Sequence, residues 1–90
     1  MIDAILDERG ARYGKFVDVA KATIEIQESV FNNMKIDKLS LLKHDQSLAI
    51  DMICHKLARI AVGDADYVDS WVDIAGYAQL VADRLQGVER

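Results

Sequence analysis

The stretch that decides the fold is HKLARIAVGDADYVDSWVDIAGYAQLV, residues 55–81. Its middle, Gly63-Asp64-Ala65-Asp66, predicts a helix stop followed at once by a helix start. Glycine accepts the left-handed conformation that often follows a helix, and aspartate is a favoured N-cap. We therefore expect two helices joined by a short acidic turn and packed as an antiparallel hairpin.

The helix that enters this turn has residues recurring every three or four positions on two stripes. We expect its apolar stripe to pack in the core and its cationic stripe to be free for other work. The cationic stripe consists of Met52, His55, Lys56 and Arg59, and the apolar one of Ile50, Ile53, Leu57 and Ile60.

The helix that leaves the turn also has two stripes. An apolar stripe, expected to pack, consists of Trp71, Ala75, Ala78, Ala82 and Leu85, and a neighbouring stripe of Asp69, Asp73, Gly76, Tyr77 and Leu80. A glycine inside a helix is less favourable than alanine by about 1 kcal/mol, so we expect another helix, or else a ligand, to lie close to Gly76.

No lysine or arginine occurs between Ile60 and Asp83, so Lys56 and Arg59 are the nearest cations for the acids of the hairpin. Three arrangements of these cations and acids are possible. In a purely structural one, Asp66 caps the second helix, Asp69 stabilises its positive N-terminus, and Asp73 meets Arg59.

The other two arrangements bind something. Asp69 and Asp73 lie one helical turn apart and could contribute oxygen ligands to Mg²⁺. Alternatively, Lys56 and Arg59 contact phosphate, His55 donates a hydrogen bond, and Tyr77 or Trp71 stacks on a base.

Composition bounds the class of protein. The chain has 90 residues, 51% of them hydrophobic, and no proline, which predicts one all-α domain over residues 1–90. A helical bundle of three to four helices cannot hide all these apolar side chains, so we expect an oligomer. The net charge of −4 argues against a nucleic-acid polymer as partner.

The compartment is expected to be the cytoplasm. Cys54 is the only cysteine, which rules out an internal disulfide and fits a reducing environment. The N-terminal residues do not resemble a signal peptide, and no apolar run is long enough to span a bilayer, so no membrane partner is expected.

The N-terminal half predicts a short helix at residues 2–9 that ends at Gly10, and a glycine-bounded turn, Ala11-Arg12-Tyr13-Gly14. Arg12 and Tyr13 form either a local anion clamp or an ordinary tight turn. A long helix is predicted from Lys15 to about Met34, with Glu25 and Glu28 one turn apart.

Residues 32–44 predict a loop, with at most one helical turn at 38–42. Its apolar residues should lie on the core or on a partner subunit. Asp45 is predicted to cap the next helix, which runs through Ala61. We expect self-association through the apolar surface left by residues 16–34 and 36–42.

Two blocks of the chain resemble a family of small phage-encoded domains of unknown function. They are ILDERGARYGKF at residues 5–16, and HKLARI, GD, Y, DSW and DIAGYAQLV within residues 55–81. DIAGYA is also similar to the last helix of the MazG-like all-α nucleoside triphosphate pyrophosphohydrolases. That resemblance implies an oligomeric helical bundle, with Asp69 and Asp73 at positions of metal ligands and Lys56 and Arg59 as phosphate contacts.

This chain departs from the MazG-like pattern in its first acid cluster. The helix expected to hold that cluster, residues 45–61, has only Asp45 and Asp51 as acids, and Glu25-x-x-Glu28 comes one helix earlier. Hydrolysis of a triphosphate needs several carboxylates converging on Mg²⁺. The departure favours binding over turnover.

The first hypothesis is therefore an oligomeric domain that binds a phosphorylated nucleotide without turnover, with no catalytic residue and no cofactor. Its specific form is sequestration of a cyclic-nucleotide immune signal of the host by a phage-type protein. The alternatives are a MazG-like enzyme using Mg²⁺ on Asp69 and Asp73, and a structural or host-protein-binding module. The candidate ligand-binding residues are His55, Lys56, Arg59, Asp69, Asp73, Tyr77, Arg12, Tyr13 and Trp71.

Overall fold

The structure is a computed structural model that describes residues 2–90, and this range is all-helical with no strand. The predicted all-α class is confirmed. Met1, the first residue of the predicted domain, lies outside the described residues. The helices are α1 (Ile2–Tyr13), α2 (Phe16–Asn32), α3 (Ile36–Leu41), α4 (His44–Val62) and α5 (Val68–Leu85).

There are five helices between Ile2 and Arg90, rather than three to four, because the predicted single turn in the loop forms the short helix α3. None of the helices in residues 2–90 is long and apolar enough to cross a membrane.

Helix α4 lies at the centre of the fold. It packs against α2 and against α5, while α1 contacts both α2 and α4. The buried apolar residues are small: Ala49, Cys54 and Ala58 on α4, and Val19 on α2. Small side chains at a contact allow helix axes to approach closely. Burial, and then the nearby Asp51, raises the pKa of the Cys54 thiol, as expected of a packed and unreactive cysteine.

Two ion pairs join α4 to α5. Arg84 donates from Nε and Nη2 to the two carboxylate oxygens of Asp45, both at 2.8 Å. These hydrogen bonds hold the pKa of Asp45 below its usual range. Nearer the middle of the helices, Nζ of Lys56 lies 3.2 Å from Oδ2 of Asp73. Asp45 is thus a partner of α5 rather than a cap, and the residue at the N-cap of α4 is Lys43.

The N-terminal helix is longer than predicted. It continues through Gly10 to Tyr13, and Gly14, with φ of 87°, follows it in the left-handed conformation. The backbone N–H of Gly14 donates to the carbonyl of Gly10 at 2.9 Å. Gly10 does not end the helix, because Ala11 and Arg12 after it are strong helix formers. The helix ends one turn later at Gly14, which takes the left-handed conformation that glycine favours after a helix.

The turn between α4 and α5 differs from its prediction in a way that matters for the site. Gly63 has φ of −104° and ψ of −139°, so the expected left-handed conformation was wrong. A Cβ at Gly63 would instead overlap the backbone of Arg12 and Tyr13. The backbone N–H of Asp64 donates to the carbonyl of Arg12 at 2.7 Å. Glycine is needed here because the end of α1 lies directly on the turn.

The start of α5 is also not capped as predicted. The N-cap residue is Tyr67, and its side chain makes no capping hydrogen bond. The carboxylate of Asp64 accepts a hydrogen bond from the backbone N–H of Asp66 at 2.9 Å, so Asp64 shapes the turn.

The expected division of α4 and α5 into packed and free stripes was wrong on both helices. On α4, Lys56 is buried whereas Leu57 is exposed. On α5, Ser70 is buried, whereas Trp71 and Leu85 of the apolar stripe are exposed. Alanine-rich helices have more than one face that can pack, and spacing alone did not choose between them.

We predict that Gly63→Ala lowers the free energy of unfolding by about 1–3 kcal/mol, the range for forcing atoms into a packed site. The matched control is Gly10→Ala, because Gly10 is helical and has no atom within 4 Å of its Cβ position. That change should be stabilising by up to about 1 kcal/mol. Urea unfolding at equal protein concentration compares them, and equal effects would contradict the docking of α1 on the turn.

Candidate functional site

His55 and Arg59 lie one turn apart on α4 and face the junction between α1 and α2. The guanidinium carbon of Arg59 is 4.0 Å from the centre of the Tyr13 ring. The Tyr13 ring in turn meets Tyr67 edge to face, with 5.8 Å between ring centres. Stacking on an aromatic ring holds a guanidinium in place while its N–H groups stay available at the edge.

A cavity of about 600 Å³ opens beside these residues, between α1, the start of α2 and α4. We call it the α1–α4 pocket. Within residues 2–90, none of the side chains that line it is a carboxylate. The lining consists of Leu6, Arg9, Gly10, Tyr13, Gly14, Lys15, Phe16, Val19, His55 and Arg59.

The α1–α4 pocket also contains the positive end of a helix. Helix α2 begins at Phe16, and its N-cap residue, Lys15, makes no capping hydrogen bond with its side chain. The first backbone N–H groups of a helix and its dipole together favour an anion. The pocket thus adds the N-terminus of α2 to Arg9, Lys15 and Arg59, and the C-terminal end of α1, with the opposite partial charge, lines it as well.

Partial burial lowers the pKa of His55, and the nearby Arg59 and Lys56 lower it further. The imidazole is therefore neutral at pH 7, where it can both donate and accept a hydrogen bond. A bound anion would reverse this effect by favouring the protonated ring.

Arg12 points away from the pocket into a hydrogen-bonded chain. It donates to the hydroxyl of Tyr67, and the hydroxyl donates to Oδ2 of Asp69 at 2.8 Å. Arg12 also pairs with Glu8 at 2.9 Å. The hydrogen bond to Asp69, and then burial, raise the pKa of Tyr67, which keeps the phenol protonated. This chain ties α1 to the start of α5.

Lys56 takes a different direction from Arg59. Its side chain is 10% exposed, and its partner is Asp73, which the structural interpretation had paired with Arg59. Consecutive side chains on an α-helix point about 100° apart. Lys56 therefore faces α5, while its neighbour His55 faces α1. The predicted single cationic stripe is therefore divided between two faces.

The remaining candidates lie apart from the α1–α4 pocket. Nε1 of Trp71 donates to the carbonyl of Ala65 at 2.8 Å, with the ring half exposed. Tyr77 lines a second cavity of about 420 Å³, together with Asp45 and Arg84. The space above Gly76 is open: within residues 2–90, no atom outside its own helix lies within 4 Å of a Cβ there, so no other helix of this range packs closely on it.

The carboxylates proposed as metal ligands are not joined by others. Across residues 2–90, no group of three or more His, Cys, Asp and Glu side chains is placed to hold a metal ion. Asp69 accepts from Tyr67, and Asp73 pairs with Lys56. Two carboxylates alone are too few for an Mg²⁺ site made by protein.

Comparison with known proteins gives a match to a family model. A family model described as "Domain of unknown function (DUF6378)" matches residues 2–85. The chain belongs to this family. No curated protein and no solved structure matches it significantly. The DUF6378 match covers both blocks of the noted resemblance, and nothing in it links the chain to phage or to MazG-like proteins.

In this DUF6378 domain, the structure brings together His55, Arg59 and Tyr13 from the predicted set, and it adds residues that were not predicted. Arg9, Lys15 and Phe16 line the same pocket. No local pattern in the sequence pointed to them. Arg9 and Arg12 are three residues apart on α1, but Arg12 turns away to Tyr67, and Lys15 and Phe16 begin the next helix.

We predict that Asp73→Asn destabilises the DUF6378 domain by about 1–3 kcal/mol, since it leaves the buried Lys56 ammonium without its charged partner. The effect should be near the lower end, because Asp73 is 45% exposed. Adding Lys56→Met should recover part of the loss. Urea unfolding of both single variants and the double variant measures the coupling, and strictly additive effects would refute the pair.

Proposed function

We propose that this domain binds a phosphorylated nucleotide in the α1–α4 pocket and does not hydrolyse it. The observation that carries the proposal is the lining of that pocket: Arg9, Lys15, Arg59 and His55 surround a cavity without a carboxylate, in a chain whose net charge is −4. A local cationic cavity in an acidic protein fits one small anion and disfavours a long nucleic-acid backbone.

Arg59 would make the most specific contact with phosphate. Its planar guanidinium can donate two parallel hydrogen bonds to one phosphate, and the Tyr13 ring fixes its orientation. Lys15 and Arg9 add charge, and the N-terminus of α2 adds backbone donors. His55 becomes a second charged donor when a bound phosphate favours its protonation.

We place the nucleotide base beside these donors. The Phe16 side chain lines the pocket and is 87% exposed, so one face of its ring is available for stacking. Stacking of a base on an aromatic side chain contributes about 1–3 kcal/mol. An exposed aromatic ring next to cations is the combination that recognises a nucleotide rather than free phosphate.

The specific ligand that we propose is a cyclic nucleotide that serves as an immune signal in a host cell. The protein would then sequester the signal in the host cytoplasm as a phage-type counter-defence factor. Support comes from the resemblance of the two sequence blocks and from the lack of converging carboxylates in residues 2–90. The acting form would be an oligomer in which α4 and α5 form an antiparallel hairpin, as the Asp45–Arg84 and Lys56–Asp73 pairs favour.

A thermal-shift screen tests this function. A cyclic dinucleotide, a nucleoside triphosphate and inorganic triphosphate are each added with and without Mg²⁺. The proposal predicts that the cyclic dinucleotide raises the Tm without Mg²⁺ and is recovered intact. A strict Mg²⁺ requirement with product release would support a pyrophosphohydrolase instead. No shift with any of them would support a structural or protein-binding module.

We predict that Arg59→Lys weakens binding of the cyclic dinucleotide by about 1.5–3 kcal/mol, because lysine keeps the charge and loses the planar fork. Lys56→Met is the matched control: it removes a charge from the adjacent face of α4, where the ammonium meets Asp73. The control should bind nearly like the parent. Calorimetry measures both variants, and a loss confined to Lys56→Met would place the site on the α5 side of the helix.

A further inference from the structure

The chain exposes more surface than a folded protein of its size. Its accessible area is 6708 Å², whereas a compact monomer of 10.1 kDa has about 5,300 Å². Its radius of gyration is 15.0 Å, against about 12 Å expected for this length. The excess area, about 1,400 Å², is larger than the roughly 800 Å² that each partner buries in a standard interface.

Exposed apolar side chains occur on every helix, and on helix α5 they form an uncharged row. Trp71 and Leu85 are 52% and 60% exposed, and Ala75 and Ala78 between them are also exposed. These four residues, with Ala82, form what we call the α5 stripe, which contains no charged side chain. The stripe borders a groove of about 430 Å³ between α4 and α5, lined by residues such as Leu42, Ile50, Ile53 and Ala82.

The outer face of α2, part of the surface through which the sequence predicted self-association, is the rival surface, and it has a different character. Val17 and Ile24 are exposed there, but they alternate with Lys21, Glu25 and Glu28. Lys21 and Glu25 form an ordinary ion pair at 3.6 Å on that face. A mixed charged surface of this kind is stable in water, whereas the α5 stripe offers a partner a face without charge.

We propose that the α5 stripe is the interface with a second copy of this chain, in a two-fold dimer. Each copy lacks a large fully buried side chain among its described residues. A chain that completes its hydrophobic core on a partner needs that partner whenever it folds. A second copy of the same chain meets this need, because it is always present at the same concentration as the first.

The order of residues along the stripe suits a two-fold axis. Trp71 and Leu85 stand at its ends, with alanines between them. When two α5 helices cross antiparallel near Ala78, Trp71 of one copy lies opposite Leu85 of the other. The alanines then let the backbones approach, and the same patch is used on both sides, as an isologous interface requires.

Sedimentation equilibrium of the full chain tests the dimer. The wild type is expected at twice 10.1 kDa at tens of micromolar concentration. Ala78→Glu places two carboxylates at the axis and should weaken the dimer by at least tenfold. Ile24→Glu is the matched control on α2 and should leave it unchanged. A monomeric wild type, or dissociation by Ile24→Glu and not by Ala78→Glu, would overturn the proposal.

A second variant covers the case in which Ala78→Glu does not fold. Ala78→Cys places two thiols at the axis and should give a covalent dimer on mild oxidation, while Cys54 stays buried and unreactive. Lys21→Cys on α2 is the control and should stay mostly uncoupled at the same concentration. Equal coupling of both variants, or coupling of the control alone, would contradict an interface on α5.

Discussion

The backbone N–H of Asp64 donates to the carbonyl of Arg12, and this hydrogen bond fixes the end of α1 on the turn between α4 and α5. The contact is possible because Gly63 has no side chain. Once α1 ends there, Tyr13 lies under Arg59, and α2 starts beside His55. A close backbone contact between distant parts of the chain thus creates the cationic cavity.

Lys56 and Arg59, two basic residues on α4, have different roles because their side chains point to different sides of the helix. Lys56 is desolvated against Asp73 and joins two helices, whereas Arg59 lies on an aromatic ring at the edge of a cavity. A buried ammonium with a carboxylate partner has its charge already compensated. A guanidinium stacked on a tyrosine ring interacts only with the ring's partial negative charge. Its own positive charge is therefore not neutralised, and it can still bind an anion. This difference makes the α1–α4 pocket the better candidate for a ligand.

Much of the helical structure could be predicted from the sequence. The absence of proline and the spacing of residues such as Phe16, Ile24 and Phe31 predicted α2, and the Gly63–Asp66 turn predicted the break between α4 and α5. These signals are local, because a helix forms from contacts three and four residues apart. The extension of α1 through Gly10 was missed because a glycine was given too much weight as a stop.

The arrangement of faces could not be predicted in the same way. Periodicity shows that Trp71 and Leu85 share a stripe, but it does not say whether this stripe meets the same chain or another one. Likewise, the role of Gly63 depends on a contact with Arg12, far away in sequence. Of the candidate site, His55, Arg59 and Tyr13 were found because their side chains are informative, and Lys15 at the start of α2 emerged only from the fold.

The measurement that tests the cationic pocket most directly is an NMR titration of His55 with and without a cyclic dinucleotide. Burial lowers the pKa of His55 in the free protein. A phosphate bound beside it stabilises the charged ring, so saturation should raise that pKa, and binding should take up protons. A bound ligand that leaves the titration of His55 unchanged would contradict the pocket.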